Sequence, residues 1–201
     1  MLYKYERYTV SEIADLKSLL FIFQLMRIET LLEYEISDDV QKLANRLLIE
    51  SFSDYPLERS YYKLLPQFRY LVWAGEKLIA QMGVEHRVIT NTGVPARIFG
   101  LIDLCVASPY RGQKIATTLL QQLEKLGRTS KVDFLLLFAD DSRLYIENGY
   151  QRVTNLCRWM KVDEHQTIDI GEESMADCMM IKQIGMQKWQ DGKVDLLGYL
   201  F

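Results

Sequence analysis

The segment that most constrains the fold is residues 133–139, D-F-L-L-L-F-A, which are apolar at almost every position. A half-exposed strand would alternate apolar and polar residues, so this run is typical of a strand covered on both faces. A strand over residues 96–106 precedes it, with a helix between the two. Ile115, Leu119 and Leu123 fall on one side of that helix, which marks its buried face. The order strand–helix–strand predicts a parallel β-α-β unit at the centre of the domain.

Turn and capping residues bound the other predicted elements. In chain order, these are a strand at residues 31–36, a helix from Ser37-Asp38-Asp39 to residue 52, a short helix at 57–65, a hairpin of strands 68–73 and 77–89, a short helix over 142–148, and strands at 150–162 and 175–184. Residues 30–201 are therefore expected to form one α+β (mixed α/β) domain. Its sheet should have six to seven strands, mostly antiparallel, with the parallel unit at the centre and helices on its faces.

Residues 1–29 are predicted to form a helical extension. Thr9-Val-Ser-Glu12 has the pattern of a capping box, and apolar residues recur after it at helical spacing. The apolar run at 19–26 is too short to cross a bilayer, and no small-residue cleavage site follows it, so neither a transmembrane helix nor a signal peptide is expected. An alternative is that translation begins at Met26, which would leave residues 1–25 peripheral to the fold.

The charge balance and the cysteine content argue against several classes of protein. A net charge of −3 on 201 residues disfavours a nucleic-acid-binding protein held by a broad basic surface. Cys105, Cys157 and Cys178 are odd in number and far apart, and His86 and His165 form no ligand cluster with them. We therefore expect a cytoplasmic protein with no disulfide framework, no metal, and no nucleic-acid or membrane partner. The sequence leaves the oligomeric state open, with a homodimer among the alternatives.

The segment R-G-Q-K-I-A at residues 111–116 lies where a helix follows the strand that ends at Val106. The first turn of a helix carries backbone N–H groups without internal partners, and the helix dipole adds partial positive charge there. Gly112 allows a ligand to approach the backbone closely, and Arg111 and Lys114 add full charges, so the segment can bind a phosphate or pyrophosphate. It matches neither a P-loop nor the GxGxxG fingerprint. The alternative is a surface helix start with two solvated cations.

Two motifs in this order resemble those of the GNAT superfamily of N-acetyltransferases. Residues 104–120, L-x-V-x-x-x-Y-R-G-Q-K-I-A-x-x-L-L, resemble its acyl-CoA-binding motif, and residues 143–150, R-L-Y-I-E-N-G-Y, resemble its second signature. Lys114 stands at the family's middle glycine and Ala116 at its last small residue. A Cβ at residue 114 fits if that residue has ordinary helical dihedral angles.

A weaker resemblance connects the chain with one branch of that superfamily. The loop sequence R-G-Q-K resembles the variant loop of the aminoglycoside 2′-N-acetyltransferases. The segment at residues 189–201, W-Q-D-G-K-V-D-L-L-G-Y-L-F, resembles the closing segment of that branch and of the nodulation acyltransferases. That branch would suggest an aminoglycoside-like acceptor.

The superfamily resemblance implies a GNAT-like acyl-CoA N-acyltransferase fold that uses acetyl-CoA as co-substrate. The implied activity is transfer of the acetyl group to a primary amine by direct attack. By position, the backbone of the strand end would bind the pantetheine arm, and Arg111 with the loop amides would hold the pyrophosphate. The residues implied to contact acetyl-CoA are Leu104, Cys105, Val106, Arg111, Gly112, Gln113, Lys114, Ile115, Ala116 and Ser142.

The resemblance implies an acid for the leaving thiolate but leaves the base open. Tyr145 stands at the family's position for the acid, although it could instead pack beneath the cofactor. Many relatives have a glutamate where this chain has Ile102. The alternatives are Asp103, which strand alternation points to the opposite face from Ile102, and Glu85 on a neighbouring strand. His86 is expected to be a partly buried packing residue, and a chain of waters could replace a nearby base.

The acceptor is predicted to be a small-molecule amine, aminoglycoside-like or polyamine-like, because the chain is mildly acidic. A protein N-terminus or lysine is an alternative acceptor, and a non-catalytic acyl-CoA-binding sensor or a domain that binds no CoA are alternative functions. Aromatic residues could line an acceptor pocket or belong to the core. They are Tyr61, Tyr62, Trp73, Trp189, Tyr199 and Phe201.

Overall fold

The structure, a computed structural model, describes residues 26–52, 55 and 58–201. The predicted N-terminal helix lies outside the described residues. The strands are β1 (Met26–Leu32), β2 (Phe68–Ala74), β3 (Lys77–Asn91), β4 (Val94–Val106), β5 (Phe134–Phe138), β6 (Gln151–Arg152), β7 (Leu156–Asp163), β8 (Gln166–Ser174), β9 (Met179–Gln183) and β10 (Lys193–Tyr199). The helices are α1 (Asp38–Ser51), α2 (Ile115–Thr129) and α3 (Arg143–Glu147), with 3₁₀ turns at Glu33–Glu35 and Ser108–Tyr110.

Within the described residues the strands form one sheet of ten, in the order β6-β9-β5-β4-β3-β10-β7-β8, with β2 and then β1 added to the first half of β3. β4 and β5 are parallel, as are β10 and β7, and the other pairs are antiparallel. The predicted α+β class and the central β4-α2-β5 unit are confirmed. The predicted count of six to seven strands is wrong, because β8 and β10 were not recognised and the strand predicted at 150–162 is two strands.

Three apolar clusters surround the sheet. One lies beneath α2, where Leu119 and Leu123 pack on β3 and β5. A second fills the opposite face around Phe134 and Trp159. A third packs α1 against Trp73 and its strand neighbours. β5 is therefore covered on both sides, as its unalternated apolar sequence predicts.

Several element boundaries differ from those predicted. The first strand is Met26–Leu32, and a 3₁₀ turn follows it where strand 31–36 was expected, so the predicted domain boundary at residue 30 falls inside β1. Residues 58–65 contain no helix. The single strand predicted at 150–162 is two strands, because β6 pairs with β9 whereas β7 pairs with β8 and β10.

The feature that positions the site is a gap between the central parallel strands. β4 and β5 pair only where Ile98–Gly100 faces Phe134–Leu136, and they diverge beyond that point. Next to the gap, β4 contains a bulge. Gln81 pairs with Cys105 and Gly83 with Ile102, so Met82 alone faces both Asp103 and Leu104. Asp103 has a φ of 53° there, in the left-handed region that bulges commonly use.

Candidate active site

The loop between β4 and α2 presents a row of unpaired backbone N–H groups. Gly112 has a φ of 77° and Lys114 a φ of 60°, and α2 begins directly after them at Ile115. Among the described residues, no backbone or side-chain acceptor takes the N–H groups of residues 112–117. The Arg111 side chain folds back, and its Nε donates to the Val106 carbonyl at 3.0 Å. The loop can therefore donate several hydrogen bonds to one anion at the positive end of α2.

The backbone of Lys114 does not meet the condition under which its Cβ was said to fit. Its dihedral angles are left-handed, φ 60° and ψ 17°, rather than helical. Its carbonyl accepts hydrogen bonds from the N–H of Thr118 at 2.9 Å and from the Thr118 hydroxyl at 3.0 Å, so the residue acts as the N-cap of α2. A residue with a Cβ in this region is about 1–2 kcal/mol less favourable than in the right-handed region. The chain thus retains the glycine-type turn without the glycine.

The gap between β4 and β5 forms a cavity of about 500 Å³. Its described lining comprises Phe52, Leu101, Ile102, Asp103, Leu104, Leu137, Phe138, Ala139, Asp140, Asp141, Tyr145, Cys178 and Phe201. The Phe201 ring closes its apex, where it packs so closely on Gly100 that a Cβ would lie 2.5 Å from the ring. We call this space the wedge cavity. It lies beside the strand end that was predicted to bind pantetheine.

Tyr145 projects from α3 into the wedge cavity. Burial, with a smaller contribution from the Asp141 carboxylate, raises the pKa of its hydroxyl to about 12. Its ring packs edge-on against Tyr150, with 5.8 Å between centroids. No described residue makes a hydrogen bond with the Tyr145 hydroxyl in the structure. At neutral pH this group is therefore a protonated donor that is free to act on a ligand.

Asp103 lies where two cavities meet. It lines the wedge cavity and also a larger one of about 850 Å³. The expectation that alternation would point Asp103 away from the face of Ile102 is wrong, because the bulge interrupts the alternation and both residues line both cavities. The Tyr55 hydroxyl donates to Asp103 Oδ2 at 2.6 Å.

The surroundings of Asp103 make it a better base than an exposed aspartate. Burial raises the pKa of its carboxyl above the usual 3.8, while the hydrogen bond from Tyr55 and the positive charge of Arg69 oppose that rise. A carboxylate with a raised pKa takes a proton more readily at neutral pH. Its second oxygen, Oδ1, carries no hydrogen bond from the described residues.

A buried polar network lies behind Asp103. Arg69, 1% exposed, donates to both carboxylate oxygens of Glu33 at 2.7 and 3.1 Å, to Gln81 Oε1 at 2.9 Å and to the Ser60 carbonyl at 2.7 Å. Gln81 Nε2 in turn lies 3.5 Å from the Asp103 carbonyl oxygen. This network was not predicted from the sequence. Its signal is the arginine within the otherwise apolar strand F-R-Y-L-V-W-A, because a buried charge requires a partner.

Glu85 is placed differently from Asp103. It is 5% exposed and its carboxylate is held by Arg87 at 3.1 Å and by the Tyr199 hydroxyl. Arg87 also donates to the Tyr199 carbonyl at 2.7 Å. Glu85 is not among the described residues that line either cavity. These contacts attach the end of β10 to β3, and a role for Glu85 as the base stays a prediction.

The other residues predicted to contact acetyl-CoA fall into three groups. Leu104 lines the wedge cavity, and the half-buried Gln113 and Ala116 belong to the loop and the first turn of α2. Cys105 and Ile115 face the core, and burial raises the pKa of the Cys105 thiol to about 12. The carbonyl of Ser142 accepts the N–H of Ile146 at 2.9 Å and so begins α3. Their roles in binding stay predictions.

The larger cavity, of about 850 Å³, is enclosed by segments that are far apart in sequence. Its described lining comprises Ser51, Phe52, Tyr55, Tyr62, Lys63, Leu64, Ile102, Asp103, Trp159, Met160, Lys161, Val162, Ile168, Tyr199, Leu200 and Phe201. We call it the acceptor cavity. Contacts between residues 59–63 and the β7–β8 turn brace it, including an Arg59–Glu164 ion pair at 3.5 Å and a Lys63–Asp163 pair at 3.5 Å.

The aromatic residues predicted to line a pocket divide between lining and core. Tyr62, Tyr199 and Phe201 line the acceptor cavity. Trp73 packs beneath α1, and Trp189 packs on Phe134 with 5.0 Å between ring centroids.

Tyr61 and the two histidines are not among the described residues that line the cavities. Tyr61 contacts His165, with 3.1 Å between its hydroxyl and Nε2. His86 is exposed rather than partly buried, although its ring packs on that of Phe99 with 5.2 Å between centroids.

Within the described residues, no helix has the length and apolar character needed to cross a membrane. Nor does any cluster of three or more histidine, cysteine or acidic side chains in that part of the chain have the arrangement of a metal site.

Comparison with known families gives one match along the sequence. The profile described as "Acetyltransferase (GNAT) domain" matches residues 35–153, more than half of the chain. That span contains β2 to β5, the loop of unpaired amides, and Tyr145. No curated protein sequence matches the chain.

Solved structures share the fold at low sequence identity. A GNAT family N-acetyltransferase from Escherichia coli, in complex with CoA, aligns with a TM-score of 0.58 and 18% identity over 85% of this chain and 88% of that protein. The ribosomal-protein-S18-alanine N-acetyltransferase from Escherichia coli aligns with a TM-score of 0.51 and 16% identity over 81% of this chain and 96% of that one. A protein of unknown function from Enterococcus faecalis V583, described as a probable N-acyltransferase, aligns with a TM-score of 0.55 and 20% identity. The alignment covers 64% of this chain but only 33% of that protein. These likenesses concern the fold alone.

Proposed function

Because the chain belongs to the GNAT acetyltransferase family, we propose that it is an acyl-CoA-dependent N-acetyltransferase acting on a small-molecule primary amine. The observation that carries this proposal is the position of Asp103, which borders both the wedge cavity and the acceptor cavity. A base at that junction can contact an amine on one side while a thioester lies on the other. The acceptor type, the acyl group and the residue roles below belong to the proposal.

Acetyl-CoA fits the loop ahead of α2 and the end of β4 that lines the wedge cavity. The unpaired N–H groups of residues 112–117 can hold the pyrophosphate, with the charges of Arg111 and Lys114 nearby. β4 beyond Gly100 has no partner on the β5 side, so its backbone is available to an extended pantetheine arm. Such an arm would lead the thioester towards Asp103 and Tyr145.

The proposed reaction divides its proton transfers between two residues. An alkylammonium has a pKa near 10, so it must lose a proton before it can attack. Asp103 accepts that proton at Oδ1, and the neutral amine forms a C–N bond with the thioester carbonyl carbon. The C–S bond then breaks, the Tyr145 hydroxyl donates its proton to the leaving thiolate, and the nitrogen releases its second proton to water as the amide forms. Both residues return to their starting states by proton exchange with water.

The first experiment measures ligand binding by thermal unfolding. Acetyl-CoA and CoA should each raise the free energy of unfolding, by about 2.7 kcal/mol at one hundred times the dissociation constant. ATP serves as a comparison, because it carries phosphates on an adenosine but no pantetheine arm. A chain whose melting temperature is unaffected by acetyl-CoA and CoA would not be an acyl-CoA-binding domain, and the proposal would fail.

The second experiment separates an enzyme from a non-catalytic acyl-CoA sensor. Both bind CoA, but only an enzyme releases free CoA thiol faster when an amine is added. Thiol release should be followed with a panel of primary amines and with a peptide that has a free N-terminus. Binding without amine-stimulated release would support the sensor, and faster release with the peptide than with any small amine would support a protein acceptor.

A further inference from the structure

The walls of the acceptor cavity are mainly hydrocarbon. Phe52, Leu64, Trp159, Val162 and Leu200 contribute apolar side chains from four separate segments. Two of the three tyrosine hydroxyl groups on the described walls are already engaged. The Tyr55 hydroxyl donates to Asp103, and the Tyr199 hydroxyl donates to Glu85. A substrate rich in hydroxyl groups would leave its own donors and acceptors unpaired against such walls, which is unfavourable.

The charges around the cavity are unequal. Asp103 is the one acidic residue in the described lining, whereas Lys63 and Lys161 contribute two cations, of which Lys63 is paired with Asp163 at 3.5 Å. The Lys63 ammonium lies 4.9 Å from the Tyr62 ring and the Lys161 ammonium 5.9 Å from the Trp159 ring, so both accompany the aromatic wall. One cationic group of a ligand can therefore pair with Asp103, but a second would meet lysines rather than acids.

We infer that the acceptor is a monoamine whose body is aromatic or branched and apolar, not a polyamine or an aminoglycoside. This inference rests on the proposed function and specifies its substrate class. The single amine lies against Asp103, where it loses its proton. The body fills the cavity between the aromatic wall of β7 and the segment around Tyr62 and Leu64. The volume of about 850 Å³ accommodates a body considerably larger than a short alkyl chain.

A homologous series of amines tests the inference directly. The specificity constant kcat/KM, measured by release of CoA thiol, should rise about fourfold with each methylene group from propylamine to hexylamine, because each group leaves water for the apolar wall. Phenethylamine and tryptamine should exceed spermidine and kanamycin by at least roughly tenfold, because an aromatic ring buries more apolar area than one methylene group.

A variant of the wall gives a second, independent readout. Ile168 lines the cavity from β8 and is 64% exposed, so Ile168→Glu should fold normally. The new carboxylate should lower kcat/KM for hexylamine and raise it for 1,5-diaminopentane, each by roughly three- to tenfold. Ile170→Glu is the matched control, because Ile170 is 49% exposed on the same strand and is not among the residues lining the cavity. In this control, the ratio of kcat/KM for hexylamine to kcat/KM for 1,5-diaminopentane should stay within about twofold of the parent value, because an exposed charge away from the cavity has only a weak effect.

The outcomes distinguish the substrate class from the activity. A rising alkylamine series with a changed ratio only in Ile168→Glu supports the inference. A flat series, or a preference for spermidine or kanamycin, overturns the substrate class while thiol release still supports the enzyme. If acetyl-CoA raises the melting temperature but no amine stimulates thiol release, the proposed enzyme fails and the inference fails with it.

Discussion

The two halves of the candidate site are built in opposite ways. The anion-binding loop is one continuous segment, residues 107–117, whose functional groups are backbone N–H groups. The described lining of the acceptor cavity comes from residues 51–52, 55, 62–64, 102–103, 159–162, 168 and 199–201, and its functional groups are side chains. A local motif therefore specifies the first half, and only the packing of the sheet brings the second half together.

This difference predicts how each half responds to substitution. Changes in the acceptor half should act on chemistry, because a single carboxylate or hydroxyl has no substitute nearby. Changes in the loop should act through backbone conformation and so have smaller effects, because several N–H groups share the anion.

The largest effect is expected from Asp103→Asn. An amide cannot accept the amine proton, so kcat should fall about a thousandfold. The shift in melting temperature with acetyl-CoA should remain, because the loop is unchanged. Asp191→Asn is the control, because Asp191 is an exposed acid ahead of β10. The activity of this variant should match that of the parent. A retained rate in Asp103→Asn would remove Asp103 from the mechanism and favour Glu85 or water.

The same residue should set the acid side of the pH profile. Burial raises the pKa of Asp103 in the folded chain above its unfolded value of 3.8, so activity should fall as the pH drops through this raised pKa. The folded state then binds the Asp103 proton more tightly than the unfolded state, and the contribution of Asp103 to stability grows as the pH falls through that range. Asp103→Asn should lose this pH dependence of unfolding and should be no less stable than the parent at pH 7, as measured by denaturant unfolding.

The next largest effect is expected from Tyr145→Phe. Loss of the donor to the thiolate should lower kcat about a hundredfold and leave the affinity for acetyl-CoA nearly unchanged. Tyr150→Phe is a close control, because the Tyr150 hydroxyl is buried without a partner in the structure and its ring packs against Tyr145. Equal rates in the two variants would mean that Tyr145 only packs beneath the cofactor.

Glu85→Gln should have a smaller effect, and on stability rather than catalysis. The neutral amide weakens the contacts with Arg87 and Tyr199 that attach β10 to β3, which should lower the free energy of unfolding by about 1–3 kcal/mol. The rate per folded molecule should stay within a few fold of the parent. A loss of kcat comparable with that of Asp103→Asn would instead identify Glu85 as the base.

The smallest effect is expected in the loop. Lys114→Gly removes the left-handed strain and should raise the free energy of unfolding by about 0.5–1 kcal/mol, after the greater freedom of glycine in the unfolded chain is allowed for. Lys114→Ala loses the same charge but keeps the Cβ, so the two variants differ only in strain. Calorimetry should place the melting temperature of the glycine variant about 2 °C above that of the alanine variant. Equal stability would show that residue 114 is not left-handed in solution.

The elements recognised in advance share a common property. The unalternated strand at 133–139, the amphipathic helix α2 and the loop ahead of that helix are each readable within one short window, and the structure has all three. β8 escaped recognition because its side chains are almost all exposed, so no burial pattern marks it. The locally readable elements were enough to predict the fold class and the superfamily, which are confirmed. They were not enough to predict the number of strands, which was wrong.

Within the site, errors arose where one residue breaks a regular pattern. Alternation along β4 predicted the wrong face for Asp103, because a bulge is not visible in the letters of one strand and depends on how β3 pairs with it. A Cβ at residue 114 was said to fit if that residue has helical dihedral angles, but the turn ahead of α2 imposes a left-handed backbone. The resemblance to the aminoglycoside branch, the homodimer and the cytoplasmic location stay predictions.

The sequence by itself determined the β-α-β centre and the amide-rich loop, because the spacing of apolar residues and a glycine-containing turn act over a few neighbouring positions. Only the tertiary structure decided which acid lies where the two cavities meet and which residues line the larger cavity. Those features depend on strand register and on contacts between residues as far apart as Tyr55 and Asp103, which no local pattern encodes.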